Sequence, residues 1–234
     1  MTNKISIIIP TLNEAANIVS LINLIRSIEP DIEIIVADGG SSDGTVEIAT
    51  RLKASVVHSP AGRGGQMHAG AMKSTGDILW FVHADSSFSP DAVSQIETAL
   101  KSSPVIGGNL TIRFDGQSRP ARFMTWFYPR LRSLGLMYGD SGLFLRREVY
   151  ERIGGFRSLP LFEDIDLIDR IRKEGNLVNL GAEIVTSSRR FEQTSFIPVF
   201  VQWVLFQCLY WFGVSPFWLA KIYYPGPRKT SNAD

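Results

Sequence analysis

The first hundred residues alternate short apolar segments with amphipathic helical segments, and this alternation constrains the fold more than any other feature. Four segments rich in β-branched or apolar residues are predicted strands: ISIIIP from Ile5, EIIVADGG from Glu33, ASVVHS from Ala54 and DILWFV from Asp77. Between them, apolar residues recur with a helical period, as at Ile18, Leu21 and Ile25. Strands that alternate with helices through short connections predict an α/β fold with a mostly parallel sheet and right-handed crossovers.

From about residue 103 the regular alternation is replaced by a mixed pattern. The predicted strands there are GGNLTIRF, GLFLRR and LVNLGAEIVTSS. The helices REVYERIGGF and EDIDLIDRIRKEG are predicted to end at glycines. The segment between Arg119 and Gly142 mixes arginine with aromatic residues and is predicted to form helix and loop. We therefore expect one domain over residues 1–195, in halves 1–102 and 103–195, followed by an apolar helical tail over 196–234.

Composition limits the class of protein without identifying an activity. A length of 234 residues suits one domain, or one domain with an elaboration, and allows a sizeable core. The net charge of +1 gives no indication of a nucleic-acid partner, so none is expected. Cys208 is the single cysteine, which excludes an internal disulfide, and the apolar run at the amino terminus is too short for a signal peptide. We therefore expect a cytoplasmic protein.

Polar residues follow the first two predicted strands, at the position where open α/β sheets bind their ligands. Thr11 and Asn13 in PTLNE can line such a pocket, or they can cap the following helix. In ADGGSSDGT, Asp38 stands at the end of the strand, where a carboxylate can accept the N–H of a nucleobase or bind ribose hydroxyls. Asp43 is instead predicted to cap the next helix.

Two further strand ends carry groups that suit phosphate and metal ions. Arg63 lies in the glycine-rich segment AGRGG, where backbone N–H groups and a guanidinium favour phosphate, although the lysine and hydroxyl of a P-loop are missing. The fourth strand runs directly into HADSSF. Asp85 can bind Mg²⁺ or Mn²⁺, which prefer oxygen ligands. His83 either assists it or is a hydrogen-bonded structural residue.

The tail contains an apolar and aromatic segment, Phe196 to Ala220, that allows several interpretations. As one continuous helix its uncharged part would be long enough for a bilayer, but two prolines and Gly213 interrupt it. We therefore predict a pair of helices rather than a membrane span. The pair either packs on the sheet or across a homodimer, or it makes a peripheral membrane contact, which the basic residues of KIYYPGPRK would favour.

The order of these motifs resembles the family 2 glycosyltransferases, which have the nucleotide-diphospho-sugar transferase fold. The resemblance rests on IIIPTLNEAANI, VADGGSSDGT, the glycine-rich helix start, the aspartate after strand four, GDSGLFLRREVYERIGGF and FEDIDLIDRI, and it covers roughly residues 4–190. More narrowly, the chain is similar to a small bacterial branch labelled arsenosugar-biosynthesis or selenodomain-associated glycosyltransferase. The resemblance implies a three-layer α/β/α, Rossmann-like fold, with residues 1–102 binding the nucleotide sugar and 103–195 carrying the acceptor and catalytic side.

The family pattern implies a role for each matching position. The residues that match the donor site lie at strand ends or helix starts: Pro10, Thr11, Glu14, Asp38, Arg63, His83, Ala84 and Asp85. Asp85 matches the last aspartate of the D-x-D element, which usually holds the metal, whereas His83 replaces the first aspartate and departs from the pattern. Asp164 matches the usual catalytic base, with Glu163 beside it. The acceptor-side loop comprises Gly139, Asp140 and Ser141.

The resemblance implies an inverting transfer of a sugar from a nucleoside-diphosphate sugar to a hydroxyl acceptor, assisted by Mg²⁺ or Mn²⁺. Asp38 favours uridine over guanosine in the donor. Asp164 would take the acceptor's proton as its oxygen attacks the anomeric carbon, and a cation at Asp85 would stabilise the departing nucleoside diphosphate.

Two other functions stay open at this point. A non-catalytic paralogue that binds sugar nucleotides is favoured only by His83. A sugar nucleotidyltransferase would require a glycine-rich and basic triphosphate loop after strand one, and PTLNEAAN contains none.

Overall fold

Strands and helices alternate along the chain, and two helices form the tail. The computed structural model describes residues 4–102, 104–133, 136–189 and 196–224. In chain order the elements are β1 (Ile5–Thr11), α1 (Ala15–Ile28), β2 (Glu33–Asp38), α2 (Thr45–Arg51), β3 (Ser55–His58), α3 (Arg63–Lys73), β4 (Ile78–Phe81), β5 (Ser87–Phe88), α4 (Ala92–Leu100), β6 (Val105–Phe114), α5 (Arg119–Ser133), a 3₁₀ turn (Gly139–Ser141), β7 (Phe144–Arg146), α6 (Arg147–Arg152), α7 (Glu163–Ile171), β8 (Asn176–Thr186), α8 (Phe196–Trp211) and α9 (Pro216–Tyr223).

The strands of the described ranges form one eight-stranded sheet in the order β3-β2-β1-β4-β7-β6-β8-β5. β1 pairs in parallel with β2 and β4, β2 pairs in parallel with β3, and β6 pairs in parallel with β8. β7 is antiparallel to both β4 and β6, and it thereby joins the two halves of the chain in one sheet. The predicted α/β fold with a mostly parallel sheet is confirmed.

Helices cover both faces of the sheet, so the central strands are apolar on both sides. Along β1, Ile7 and Ile9 belong to the core cluster that also contains Ile18 of α1. Ile8 belongs to the cluster on the opposite face, together with Met67 of α3. This alternation follows from the two-residue period of a strand.

Two helices differ in length from the sequence expectation. α3 begins at Arg63 rather than Met67, so Gly64 lies in its first turn. A Cβ atom on Gly64 would lie 2.5 Å from the carbonyl oxygen of Arg157, so glycine permits this close packing. α7 ends at Ile171, four residues before the glycine that was expected to cap it.

The tail forms two helices, as the interrupted pattern predicts. Gly213, with φ of +85°, follows α8, and Pro216 begins α9. Pro198 lies in the first turn of α8 and does not break it. The ring of Phe200 packs edge-on against Phe127 of α5. Among the described helices, none combines the length and the hydropathy that crossing a membrane requires.

Candidate functional site

The carboxyl ends of β1 and β2 bring Thr11 and Asp38 side by side. The Thr11 hydroxyl donates to Asp38 Oδ1 at 3.3 Å, and Asp38 Oδ2 accepts the N–H groups of Gly40 and Ser41 at 2.9 and 3.0 Å. Burial raises the pKa of Asp38, but hydrogen bonds outweigh burial and leave the pKa below its ordinary value. An ionised, oriented carboxylate therefore stands at this edge of the sheet. Glu14 is partly buried at the start of α1, and its N–H donates to the hydroxyl of Thr45 at 2.9 Å.

The polar residues around this edge connect two loops. Asp43 accepts the N–H of Ala15 at 3.0 Å and that of Thr45 at 3.1 Å, which are the first residues of α1 and α2. Its predicted capping role is therefore present in the structure, and it serves two helices. Asn13 instead accepts the N–H of Ser42 at 2.9 Å, so it connects the loops rather than capping α1.

Gln66 fixes α3 to both strand ends, and the sequence reasoning did not single it out. Its side-chain amide donates to the carbonyls of Thr11 at 2.7 Å and Ala37 at 2.9 Å, and its Oε1 accepts the N–H of Gly62 at 3.2 Å. Gln66 is buried. Glutamine on a helix is usually solvent-exposed, so no local pattern marks this residue; only the packing of α3 across two strands does.

A second cluster joins α3 of the first half to α7 of the second half. Arg63 Nε lies 2.8 Å from Oε1 of Glu163, which is buried. Burial raises the pKa of Glu163, and the opposing charge of Arg63 does not fully offset this. Two predicted site residues more than ninety positions apart in the chain therefore form one ion pair.

Asp164 follows Glu163 in the first turn of α7 and faces the 3₁₀ turn. Its Oδ2 accepts the N–H of Gly139 at 2.8 Å, and its Oδ1 accepts the N–H of Ile165 at 2.9 Å. A Cβ atom on Gly139 would lie 2.8 Å from the Cβ atom of Asp164. Only glycine therefore allows the turn to approach the carboxylate this closely.

Asp140 lies near Asp164, and His83 lies near Arg63. Both residues have strongly shifted pKa values. Burial and the nearby charge of Asp164 raise the pKa of Asp140 to about 7. Oδ1 of Asp140 is buried and has no hydrogen-bond partner within the described ranges. Burial and the charge of Arg63 lower the pKa of His83 to about 3, so its imidazole is neutral at pH 7.

These groups meet around a cavity of about 420 Å³. A polar cluster in its lining consists of five charged or titratable side chains: Arg63, His83, Asp140, Glu163 and Asp164. The other walls are mainly apolar and come mostly from α5 and α8, although Tyr128, Gln207 and Cys208 bring polar groups to them. The sequence did not predict these walls, because apolar residues in α5 and α8 are equally typical of helices that pack in a core.

The remaining predicted residues do not line this cavity. Pro10, Thr11 and Asp38 stay at the edge of the sheet, and Ala84 is buried in the turn after β4. Asp85, in the same turn, lies 3.6 Å from Nη2 of Arg189. Ser141 accepts the side-chain amide of Asn109 at 2.8 Å and so anchors the 3₁₀ turn to β6.

Asp85 can bind a divalent cation only as part of a shared site. Across the described ranges, no three His, Cys, Asp or Glu side chains gather as a ligand set. Magnesium-type cations are commonly bound through one or two carboxylates plus the phosphates of a substrate, so a preformed set is not required. The single carboxylate of Asp85 fits a cation that arrives with a diphosphate.

Comparison with known proteins identifies relatives of this arrangement. The family model described as Glycosyl transferase family 2 matches residues 6–154. An uncharacterised glycosyltransferase of Nostoc sp. is 30% identical over an alignment of 171 residues, and the match covers 64% of this chain and 53% of the relative. The chain thus spans about half the length of the curated relatives it matches.

Two solved structures have similar folds. Glucosyl-3-phosphoglycerate synthase from Mycobacterium tuberculosis, in complex with Mn²⁺ and UDP-glucose, is 25% identical with a TM-score of 0.55, and the match covers 76% of this chain and 70% of that one. A mannosyltransferase from Pyrobaculum calidifontis, in complex with GDP-mannose and Mn²⁺, is 21% identical with a TM-score of 0.63, covering 79% and 57%. The second likeness concerns the fold alone.

Proposed function

We propose that this chain, which belongs to glycosyl transferase family 2, transfers a sugar from a nucleoside-diphosphate sugar to a hydroxyl acceptor. One observation supports the proposal most: Arg63 and His83 of the first half meet Asp140 and Asp164 of the second half around one cavity. Groups suited to a diphosphate and groups suited to proton transfer are thereby placed together. Asp38, at the edge of the sheet, belongs to the same half of the chain as Arg63 and His83.

The donor would bind along the ends of β1, β2 and β4. Asp38 is ionised and oriented, and it can accept the N–H of a base if the base replaces the hydroxyl of Thr11, which donates at only 3.3 Å. Uridine is the proposed nucleoside. Arg63 and Arg189 supply guanidinium groups for the diphosphate. Asp85 would hold a Mg²⁺ or Mn²⁺ ion, which when bound neutralises charge on the departing nucleoside diphosphate.

Asp164 is the proposed general base. The N–H of Gly139 orients its carboxylate at the cavity, in reach of an acceptor hydroxyl. The acceptor oxygen would form a bond to the anomeric carbon while the bond from that carbon to the diphosphate oxygen breaks. The acceptor proton passes to the carboxylate, and the nucleoside diphosphate leaves from the opposite face with inversion of configuration.

Asp140 is a second candidate for the base, and its environment favours it. A general base works best when its pKa lies near the working pH. The pKa of Asp140 is raised to about 7, and its Oδ1 has no partner in the described structure. Glu163 is committed to Arg63, so we assign it the role of positioning that arginine.

Binding of the donor tests the proposal directly. We expect a UDP-sugar to raise the melting temperature, because a ligand that binds only the native state stabilises it, and Mn²⁺ to increase the shift. Asp85→Ala should remove the additional shift in melting temperature that Mn²⁺ causes. Release of UDP that requires an added acceptor would support an enzyme. Binding without turnover across an acceptor panel would support the non-catalytic alternative.

The tail is proposed to contact a membrane surface at the cytoplasmic face. Large apolar side chains of α8 and the segment after it are exposed, among them Ile197 at 73% and Phe212 at 87%. Lys221 of α9 is exposed as well and suits anionic headgroups. Arg228 and Lys229 lie outside the described residues. A homodimer through residues 196–220 is the competing outcome of the test given below.

A further inference from the structure

We infer that the acceptor is a neutral amphiphile: an alcohol whose hydroxyl lies at Asp140 and Asp164 and whose apolar body fills the α5–α8 side of the cavity. The inference rests on the proposed function, since it names the class of molecule that receives the sugar. Four features support it: the division of the lining into a polar cluster and apolar walls, the volume of the cavity, two buried polar atoms without a partner among the described residues, and the charge of the polar cluster.

The lining of the cavity divides into a polar cluster and apolar walls. Asp140 and Asp164 belong to the polar cluster, in which Arg63 pairs with Glu163 at 2.8 Å. Met124 and Phe127 of α5 and Trp203 and Trp211 of α8 are among the apolar walls. Sites that bind small molecules are mostly apolar, with a few polar groups that fix the orientation of the ligand. The volume of about 420 Å³ lies within the usual range for such sites.

Two buried polar atoms indicate which groups the ligand carries. Oδ1 of Asp140 lacks a hydrogen-bond donor in the described structure. Gln207 lines the cavity and is about nine-tenths buried, and its Nε2 lacks an acceptor there. Leaving a buried polar group unpaired is unfavourable. A hydroxyl can donate to a carboxylate and can accept from an amide, whereas a hydrocarbon can do neither.

The charge of the polar cluster disfavours an anionic acceptor. Asp140, Glu163 and Asp164 bring three carboxyl groups to the cavity, and Arg63, which pairs with Glu163 at 2.8 Å, is assigned to the diphosphate of the donor. A phosphate or carboxylate on the acceptor would meet like charges next to the proposed base. The acceptor group is therefore a neutral hydroxyl.

Cys208 permits a test that needs no donor. It lines the cavity and is the single cysteine of the chain, so a thiol reagent modifies one site. Octyl β-D-glucoside below its critical micelle concentration is the neutral probe, and glucose and octyl phosphate are the comparisons. At a concentration of about ten times its dissociation constant, octyl glucoside should slow modification about tenfold. Glucose should have no effect, and octyl phosphate should protect more weakly.

A pair of valines on α8 provides matched variants. Val204 lines the cavity and is 47% exposed, whereas Val201 lies outside the cavity and is 57% exposed. Val204→Asp should abolish protection by octyl glucoside, and Val201→Asp should keep it. Equal protection in both variants would overturn the inference. If Val204→Asp does not fold, the three probes on the unaltered protein still decide.

The outcomes separate this inference from the proposed function. Stabilisation by a UDP-sugar without protection of Cys208 by octyl glucoside contradicts the amphiphilic acceptor and leaves the transferase intact. If octyl glucoside protects Cys208 but no nucleotide sugar binds, the proposed transferase function is contradicted, and octyl glucoside can no longer be interpreted as an acceptor. With a UDP-sugar present, the protein should release UDP faster when octyl glucoside is the acceptor than when glucose is. Equal rates would overturn the inference.

Discussion

Asp140 and Asp164 face the same cavity but differ in their hydrogen bonding. Two backbone N–H groups bind Asp164, one from Gly139 and one from Ile165. Oδ1 of Asp140 has no hydrogen-bond partner among the residues that the structure describes, and burial together with the charge of Asp164 raises the pKa of Asp140 to about 7. Asp164 is therefore a fixed acceptor of hydrogen bonds, whereas Asp140 changes its protonation state near neutral pH.

Replacing Asp164 by asparagine should separate catalysis from donor binding. Asp164→Asn is nearly isosteric, so we expect unchanged affinity for the donor nucleotide and a fall in turnover of at least ~100-fold, the lower end for general base catalysis. Steady-state kinetics and donor titration measure the two effects. Turnover within a few-fold of the unaltered enzyme would exclude Asp164 as the base, whereas lost donor binding would place it on the nucleotide side.

Replacing Asp140 by asparagine should change the dependence on pH. The native pKa of about 7 exceeds the ordinary 3.8, so the folded state binds more protons than the unfolded state between these values. Relative to Asp140→Asn, the unaltered protein should lose stability as pH rises from about 4 to about 7, by up to about 1.4 kcal/mol per pH unit. Urea unfolding at several pH values measures this. A pH-independent difference would contradict a buried, titrating Asp140.

Gly139 controls the distance between the 3₁₀ turn and Asp164. Gly139→Ala would place a Cβ atom 2.8 Å from the Cβ atom of Asp164, so the carboxylate must move. We expect turnover of the folded variant to fall at least ~10-fold, since displacement of a catalytic group by about 1 Å can cost about 100-fold. The close contact should also lower the free energy of unfolding by about 1–3 kcal/mol. Gly181→Ala is the control, because its nearest contact would be 3.9 Å. Similar activity of both variants would argue against the positioning role.

At the scale of elements, the start of α7 is held in an unfavourable conformation. Phe162, the residue before Glu163, has φ of +62°, a left-handed conformation that costs a non-glycine residue about 1–3 kcal/mol. Its ring stacks on Tyr210 of α8 at 4.8 Å. The tail therefore restrains the turn from which the proposed base projects, and α8 supports the site as well as lining it.

Gln66 connects α3 to β1 and β2, so its loss should weaken the junction between these elements. Gln66→Leu removes the buried side-chain donor to the carbonyls of Thr11 and Ala37 and the acceptor of the Gly62 N–H, although the Thr11 carbonyl keeps the N–H of Gly39 at 2.9 Å. We expect a loss of about 1–3 kcal/mol in the free energy of unfolding. Urea denaturation measures the loss. Gln117→Leu, at an exposed position, should stay within about 0.5 kcal/mol of the unaltered protein. Equal effects would show that these hydrogen bonds contribute little.

At the scale of the whole molecule, the tail is part of the packed structure. Phe200 contacts Phe127, and Tyr210 contacts Phe162, so deletion of residues 196–234 would expose apolar surface and disturb the cavity. Deletion therefore cannot isolate a membrane contact. Substitution of exposed side chains in the full chain can, because it leaves these aromatic pairs in place.

The double variant Phe212→Ser and Phe217→Ser should reduce binding to liposomes that contain anionic lipid. The two side chains are 87% and 57% exposed, so the fold should tolerate the change, and sedimentation with vesicles measures the loss. Met72→Ser, at a 59% exposed residue of α3, is the control and should bind as the unaltered protein does. The unaltered protein could instead form a dimer without binding to vesicles. If the double variant then loses the dimer, the tail is a dimer interface.

The sequence by itself determined the order of the elements and the positions of the site motifs. β-branched runs such as Ile5–Thr11 and the helical period from Ile18 are local signals, and parallel strands place their polar ends at one edge. The match to Glycosyl transferase family 2 confirms the family that these motifs indicated. The roles of the individual residues stay predictions that the experiments above test.

Only the tertiary structure decided which residues share a cavity and how they are charged. The Arg63–Glu163 pair, the approach of Gly139 to Asp164 and the walls from α5 and α8 join segments that are distant in sequence. No local pattern records such distances. The raised pKa of Asp140 depends on desolvation and on a neighbouring charge, and both exist only after the chain has packed.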